Sequence, residues 1–400
     1  MATIERSLAL AALIPCAAAQ PAGAAEPLPA LRIDLARTSV SGLSSGAYMA
    51  GQFHVAFSGE VMGAGIVAGG PYGCAESQLN LALNRCMQTA LGEPDPRALF
   101  ARAEALAAAG AIDPPANLAD DRVYVFAGIA DGTVLPAVGA KVPAFYAAAG
   151  VPAANIRLDA DVDAGHAFVT EDGPVPCART GAPFVNDCDL DQARAILEHI
   201  YGPLNPPAAS TPAPVEFDQT AYLGNPEAHG MAETGWVYVP AGCADGAATC
   251  RVHVSFHGCK QSFERVDDAF VEGAGFNHWA ETNHVVVLYP QAHDSPGNPN
   301  GCWDWWGYTG EQYASKTGVQ TAAVHLMLRA LAGGQPDDEP AFCARFDDWN
   351  SAHWLAGRAV ACGFGFACAA GSHDVLGTFF TASTVYEHPA GFYTGAACGR

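Results

Sequence analysis

SVSGLSSGAYMAGQFHVAFSG, residues 39–59, holds the turn on which the fold depends: Gly42-Leu43-Ser44-Ser45-Gly46, small residues between an extended segment and a helical one. The preceding IDLARTSVS is strand-like, and Ser45 to Ala56 has a helical pattern. Strand, G-x-S-x-G turn and helix in that order form a nucleophile elbow, which lifts a serine hydroxyl to a helix N-terminus. Among 43 glycines such a motif also arises by chance, so its meaning depends on what accompanies it.

A serine hydroxyl attacks only when a base takes its proton, and that base needs an orienting carboxylate. The apolar run in VYVFAGIADGTV ends at Asp131, where a strand would hand over to a loop. About 35 residues later, past the strand-like NIRLDADVD, AGHAF places His166 in a small-residue loop. The order Ser44, Asp131, His166 is that of α/β-hydrolases.

Those folds place several strands, and one oxyanion-hole donor, before the elbow. Here fewer than twenty residues lie between position 24 and Ser44. The missing strands read instead at 236–239, 251–256 and 285–289, and VHVSFHGCKQ carries a His257-Gly258 turn after one of them. The expected fold is therefore a circularly permuted α/β-hydrolase over residues 25–334, with the proline-rich joint 202–214 linking the former termini. Further helices are expected at 138–148, 192–201 and 317–331.

Residues 1–24 read as a cleaved secretory signal: Arg6, an apolar run from Leu8 to Ala19, then Ala22-Gly23-Ala24. Its removal takes Cys16 and leaves twelve cysteines of thirteen, an even number suited to an oxidising compartment, so a secreted, extracellular protein is expected. Cys74 with Cys86, Cys177 with Cys188, and Cys243 with Cys250 would close short loops, although spacing alone leaves connectivity open. No CxxC pair stands at ligand spacing, so neither a metal nor a cofactor is expected. The net charge of −22 argues against nucleic acid and anionic partners, and no membrane partner is expected; an uncharged substrate carries no such penalty.

Together SGLSSGAYMA, GIADGTV, DAGHAF, FHGCKQ and NGCWDWWGY resemble the secreted poly(3-hydroxybutyrate) depolymerases with a permuted catalytic domain, over roughly residues 30–330. The resemblance implies Ser44 as nucleophile, His166 as base, Asp131 as orienting acid, and an oxyanion hole from the N–H groups of Ser45 and Cys259. It also implies a Cys259–Cys302 disulfide pinning the HGC turn to the aromatic loop. Trp303, Trp305 and Trp306, with His257, are the expected substrate contacts, at least one of the three tryptophans being core instead. The partner would be a solid polyester surface, and the chain would act as a monomer.

After the joint GGQPDDEP at 333–340, residues 341–400 carry Cys343, Cys362, Cys368 and Cys398 among many aromatics, and read as a disulfide-stapled β module that binds polymer or stabilises the protein. Two other functions fit the same residues: a feruloyl or acetylxylan esterase using the same triad, and a non-catalytic polymer-binding protein.

Overall fold

The computed structural model describes residues 25–295, 297–334, 344–355, 358–361, 366–369, 375–387 and 393–394. The expected signal segment and most of the second joint lie outside them. Eight strands form the main sheet, in chain order β1 (Thr38–Leu43), β2 (Val61–Val67), β3 (Arg122–Phe126), β4 (Ile156–Asp159), β5 (Val215–Asp218), β6 (Thr234–Tyr238), β7 (Arg251–Phe256) and β8 (Val285–Tyr289). Across the sheet they run β4-β3-β2-β1-β7-β8-β6-β5. The pairs from β4 through β8 are parallel, and β6 is antiparallel to both β8 and β5.

Helices cover both faces, so the central strands are buried on both sides, with Ser39, Ser41, His253 and Ser255 a buried polar patch on one of them. On one face α1 (Ser45–Ala56), α2 (Pro96–Ala108) and α5 (Val319–Leu331) pack against Val40, Val123, Val125, Val254 and Leu288. On the other, α3 (Gln192–Tyr201) and α4 (Phe276–Asn283) pack against Val67, Tyr124, Phe126, Val287 and Tyr289. Val123 and Val125 face one layer while Tyr124 and Phe126 face the other, the two-residue alternation of a strand. All twelve residues of α1 are buried, so this helix runs through the interior.

The helix expected over 138–148 is two short ones, Pro136–Gly139 and Val142–Ala148. Pro143 follows at the start of the second, where a missing N–H is tolerated. The proline-rich joint is tied down: Ala208 N–H donates to His278 O at 2.9 Å and Asn205 N–H to Asn283 Oδ1 at 2.8 Å. It runs along α4 and carries the chain from the β4 side of the sheet to the opposite edge at β5.

The two halves of the chain meet at β1 and β7. Their neighbouring residues Ser39 and His253 are 214 positions apart, and His253 joins the strands by bonds of 2.7 Å to both Ser39 Oγ and Ser41 Oγ. Ligand crevices of α/β sheets open outside the carboxyl ends of the strands where the strand order reverses, which here is the β1/β7 junction.

Beyond residue 340 the described residues form two three-stranded antiparallel sheets and one helix, Asn350–Leu355. Trp349, Trp354 and Phe380 are exposed there. Cys368 is disulfide-bonded, while Cys343, Cys362 and Cys398 lie outside the described residues.

Candidate active site

Ser44 follows β1 directly, with φ +56° and ψ −118°, a conformation that a side chain adopts only under constraint. Its N–H donates to Val67 O at 2.9 Å and its C=O accepts from Tyr48 N–H at 3.1 Å, so β2 and the first turn of α1 hold the strained residue in place. The flanking glycines have a steric reason. A Cβ on Gly42 would lie 2.3 Å from Gly46 O, and one on Gly46 would lie 2.2 Å from Phe256 O and 2.4 Å from His257 O. The elbow can therefore pack against the end of β7 only with glycine at both positions.

Asp131 and His166 come from the loops after β3 and β4, at the same edge of the sheet. Asp131 Oδ1 accepts the N–H groups of Thr133 (2.8 Å) and Val134 (3.0 Å), which leaves Oδ2 for His166 Nδ1 at 2.8 Å. That bond assigns the Nδ1 proton to the carboxylate side and leaves Nε2 as the basic nitrogen. His166 N–H donates to Thr180 Oγ1 at 2.9 Å, a support that nothing in the sequence pattern announced. Ser44, Asp131 and His166 are all buried, yet among the described residues neither Ser44 Oγ nor His166 Nε2 has a hydrogen-bond partner.

On the other side of the junction, His257-Gly258-Cys259 turns away from the end of β7. Gly258 N–H is taken by Gln261 Oε1 at 2.8 Å, and Gln261 Nε2 donates to Pro183 O (2.9 Å) and Phe184 O (3.1 Å). Gln261 thus ties this turn to the chain segment after His166. The N–H groups of Ser45 and Cys259 have no acceptor among the described residues; for Ser45, the first residue of α1, this follows from helix geometry. Cys259 is bonded to Cys302, as the resemblance implied, and the three local cystines Cys74–Cys86, Cys177–Cys188 and Cys243–Cys250 are also formed.

One expected substrate contact, His257, needs correction, and Trp303 is a tryptophan that packs in the core. His257 is fully buried: its Nδ1–H donates to Gly258 O at 2.7 Å and its Nε2 accepts Ala292 N–H at 3.0 Å, so both nitrogens are used inside the protein. Trp303 is also fully buried, edge-on to Phe256, with its backbone N–H donating to Ser45 Oγ at 3.3 Å. Both support the turn from behind. Trp305 stacks on Tyr48 of α1 (centroids 4.1 Å apart, 9° between planes), and half-buried Trp306 meets it edge-on at 5.8 Å.

Burial pushes the His257 imidazole down to about 4 and that of His253 down to about 3, from an ordinary 6.5, so both are neutral in the fold. Unfolded histidines take up protons below about pH 6.5 while these two refuse them, so their contribution is complete above that pH and is lost as pH falls toward 4. Each should remove about 1.4 kcal/mol of stability per pH unit inside that window. Urea midpoints measured between pH 7 and pH 5 should show this slope, and His253→Gln should flatten it; an unchanged slope would assign it to other groups.

No family model matches the chain. A poly(3-hydroxybutyrate) depolymerase of Delftia acidovorans is 44% identical over 322 residues, covering 79% of this chain and 64% of that protein. The chain thus spans under two thirds of that relative's length. A polyhydroxybutyrate depolymerase of Talaromyces funiculosus is 36% identical over 345 residues, covering 82% of this chain and 98% of the relative. Among solved structures, a PHB depolymerase from Penicillium funiculosum superposes with TM-score 0.70 at 35% identity, over 77% of this chain and 99% of that one. A serine-to-alanine PHB depolymerase complexed with an R3HB trimer superposes with TM-score 0.71, at the same identity and coverage. With a strained serine elbow, a paired Asp131 and His166 at the same sheet edge, and a relative matched over nearly its whole length, the chain belongs to the poly(3-hydroxybutyrate) depolymerases, hydrolases of polyester ester bonds.

Proposed function

We propose that this chain hydrolyses the ester bonds of poly(3-hydroxybutyrate) or related short-chain polyhydroxyalkanoates through an acyl-enzyme on Ser44. The Asp131–His166 bond, at the sheet edge where Ser44 is held in its strained turn, carries this reading. His166 Nε2 takes the Ser44 proton as Oγ attacks the ester carbonyl, then returns it to the leaving alkoxide. A water activated by the same nitrogen hydrolyses the acyl-enzyme. Asp131 fixes the tautomer and stabilises the imidazolium without accepting its proton. The N–H groups of Ser45 and Cys259 receive the oxyanion, and their lack of protein acceptors supports that role. Bonds between Ser44 and His166 that are open without substrate commonly close in the Michaelis complex.

The strand order supports circular permutation. Counted from the β5 edge, the elbow strand β1 is fifth, with the strands of residues 215–289 before it in space although they follow it in sequence. The disulfides Cys74–Cys86, Cys177–Cys188, Cys243–Cys250 and Cys259–Cys302 support an oxidising, extracellular setting. The site is assembled within one chain, consistent with a monomer acting on a polymer surface. Residues 341–400 present exposed Trp349, Trp354 and Phe380, which suit adsorption to a polyester. Release of hydroxybutyrate oligomers from a polymer suspension tests the proposal; turnover of feruloyl or acetyl-xylan esters instead would reassign the substrate, and failure of a serine-directed phosphonate to label Ser44 would reject catalysis.

Changing both Cys259 and Cys302 to Ser should lower kcat about 10²–10³-fold, the usual effect of losing one oxyanion donor. The control is the Cys243/Cys250 pair, which closes a loop between β6 and β7 away from the sheet edge that carries Ser44. Its removal should reduce stability and leave kcat unchanged. Equal kcat losses in both variants would mean that the Cys259 N–H has no special part.

A further inference from the structure

The loop that carries buried Trp305 and half-buried Trp306 is organised around Asp304, a carboxylate for which the proposed chemistry has no use. Asp304 is fully buried, and burial pushes its carboxyl above the ordinary range while hydrogen bonds, those from Thr309 foremost, pull the other way. Five donors converge on it. Oδ1 accepts the N–H groups of Trp306 (3.1 Å), Gly307 (2.7 Å) and Tyr308 (3.1 Å); Oδ2 accepts Thr309 N–H (2.7 Å) and Thr309 Oγ1–H (2.7 Å). Residues 306–309 form no strand or helix, so this carboxylate supplies the acceptors that regular structure would have supplied.

The backbone of Asp304 is anchored separately. Its N–H donates to Gln320 Oε1 of α5 at 2.8 Å, and its C=O accepts Gln52 Nε2 of α1 at 2.9 Å. The same α1 begins at the nucleophile elbow, and its Tyr48 carries Trp305. Two side chains therefore bolt the loop's base to the catalytic helix and its neighbour, while the carboxylate sets the course of the chain from Trp306 to Thr309.

From this geometry we infer that Asp304 is a positioning residue for substrate recognition: it acts through the aromatic loop to shape the subsite that holds the polyester chain beyond the cleaved ester. This rests on the proposed ester hydrolysis. It assigns Asp304 to extended-substrate binding rather than to bond cleavage, because no atom of its carboxylate is left to face the cleft. Asn at this position offers one acceptor oxygen in place of two, and its NH₂ would oppose either Thr309 or the three N–H groups of residues 306–308. The loop must then open on one side.

The test compares a soluble 3-hydroxybutyrate trimer ester with p-nitrophenyl acetate, which has no hydroxybutyrate units beyond the cleaved ester. Asp304→Asn should raise KM for the trimer about tenfold, with kcat for p-nitrophenyl acetate within about threefold of the parent. Thr309→Val, which removes a single donor, should move the same way by a smaller factor and serves if the Asn variant folds poorly. In a Trp306→Ala background the Asp304→Asn effect on trimer KM should vanish, because the two residues act through one loop. Equal losses on both substrates, or additive effects in the double variant, would overturn the inference. A parent enzyme that cleaves p-nitrophenyl acetate but no hydroxybutyrate ester would overturn the proposed substrate instead.

Discussion

Ser44→Ala should abolish ester hydrolysis, with kcat lowered on the order of 10⁶-fold, while the protein keeps its fold. Ser44 Oγ makes no hydrogen bond among the described residues, so its loss leaves no buried group orphaned. The strained turn depends on Gly42, Gly46 and the bonds of the Ser44 backbone, none of which uses the hydroxyl. Asp131→Asn should be less complete, at about 10⁴-fold, because the amide favours the wrong imidazole tautomer without removing the nucleophile. Thr133 and Val134 N–H can still be accepted by the Asn oxygen. Steady-state rates on a soluble hydroxybutyrate ester, with urea unfolding as the check on folding, decide the matter. Near-parental activity of Ser44→Ala would refute the site.

Gly46→Ala should lose both activity and stability although it adds only one methyl group. The new Cβ would sit 2.2 Å from Phe256 O and 2.4 Å from His257 O, rigid backbone that has no rotamer to escape into. The start of α1 must move away from the end of β7. That opens the distance between the Ser45 and Cys259 donors, so kcat should fall about 10²–10³-fold. Overpacking should cost about 1–3 kcal/mol in addition. Gly51→Ala, one helical stretch further along α1, is the contrast. Its nearest neighbour would be Ile66 Cδ1 at an ordinary 3.6 Å, and replacing a mid-helix glycine should stabilise by about 0.5–1 kcal/mol. Comparable losses in the two variants would mean that the helix resists any added bulk, and the oxyanion argument would fall.

The pairing of Asp131 with His166 was legible because Asp131 ends an apolar strand run, His166 stands in a small-residue loop after a strand-like segment, and β3 and β4 are successive parallel neighbours. Their loops meet with little help from the rest of the chain. The elbow was legible for a similar local reason: strand, glycine turn and helix are contiguous at 38–56. Helix α3 came through as well, since its apolar residues Ile196, Leu197 and Ile200 recur at helical spacing.

His257 was misplaced among the substrate contacts, and which tryptophan would be core stayed open, because a motif reports which residues stand near a site and not which way their side chains turn. His257 points into the protein since Ala292 N–H and Gly258 O, from two different segments, use both its nitrogens. Asp304 and Gln261 stood inside quoted motifs with no part assigned to them. Their partners are backbone groups of loops, and a loop's course leaves no periodic trace in the sequence.

From residue order alone followed the class of chemistry, the candidates Ser44, Asp131 and His166, and the short cysteine loops whose pairing the structure then closed, since each depends on neighbours within a few tens of residues, where hydrophobic period and turn chemistry constrain the chain directly. The junction of β1 with β7 is of another kind. It pairs Ser39 with His253, 214 positions away, and brings the Cys259 turn beside the Ser44 elbow. No local preference encodes that pairing; it is settled when both faces of the central strands are covered at once, by α1, α2 and α5 on one side and α3 and α4 on the other. The Ser45 and Cys259 N–H groups, the buried histidines and the aromatic loop folded over Asp304 take their places from that packing.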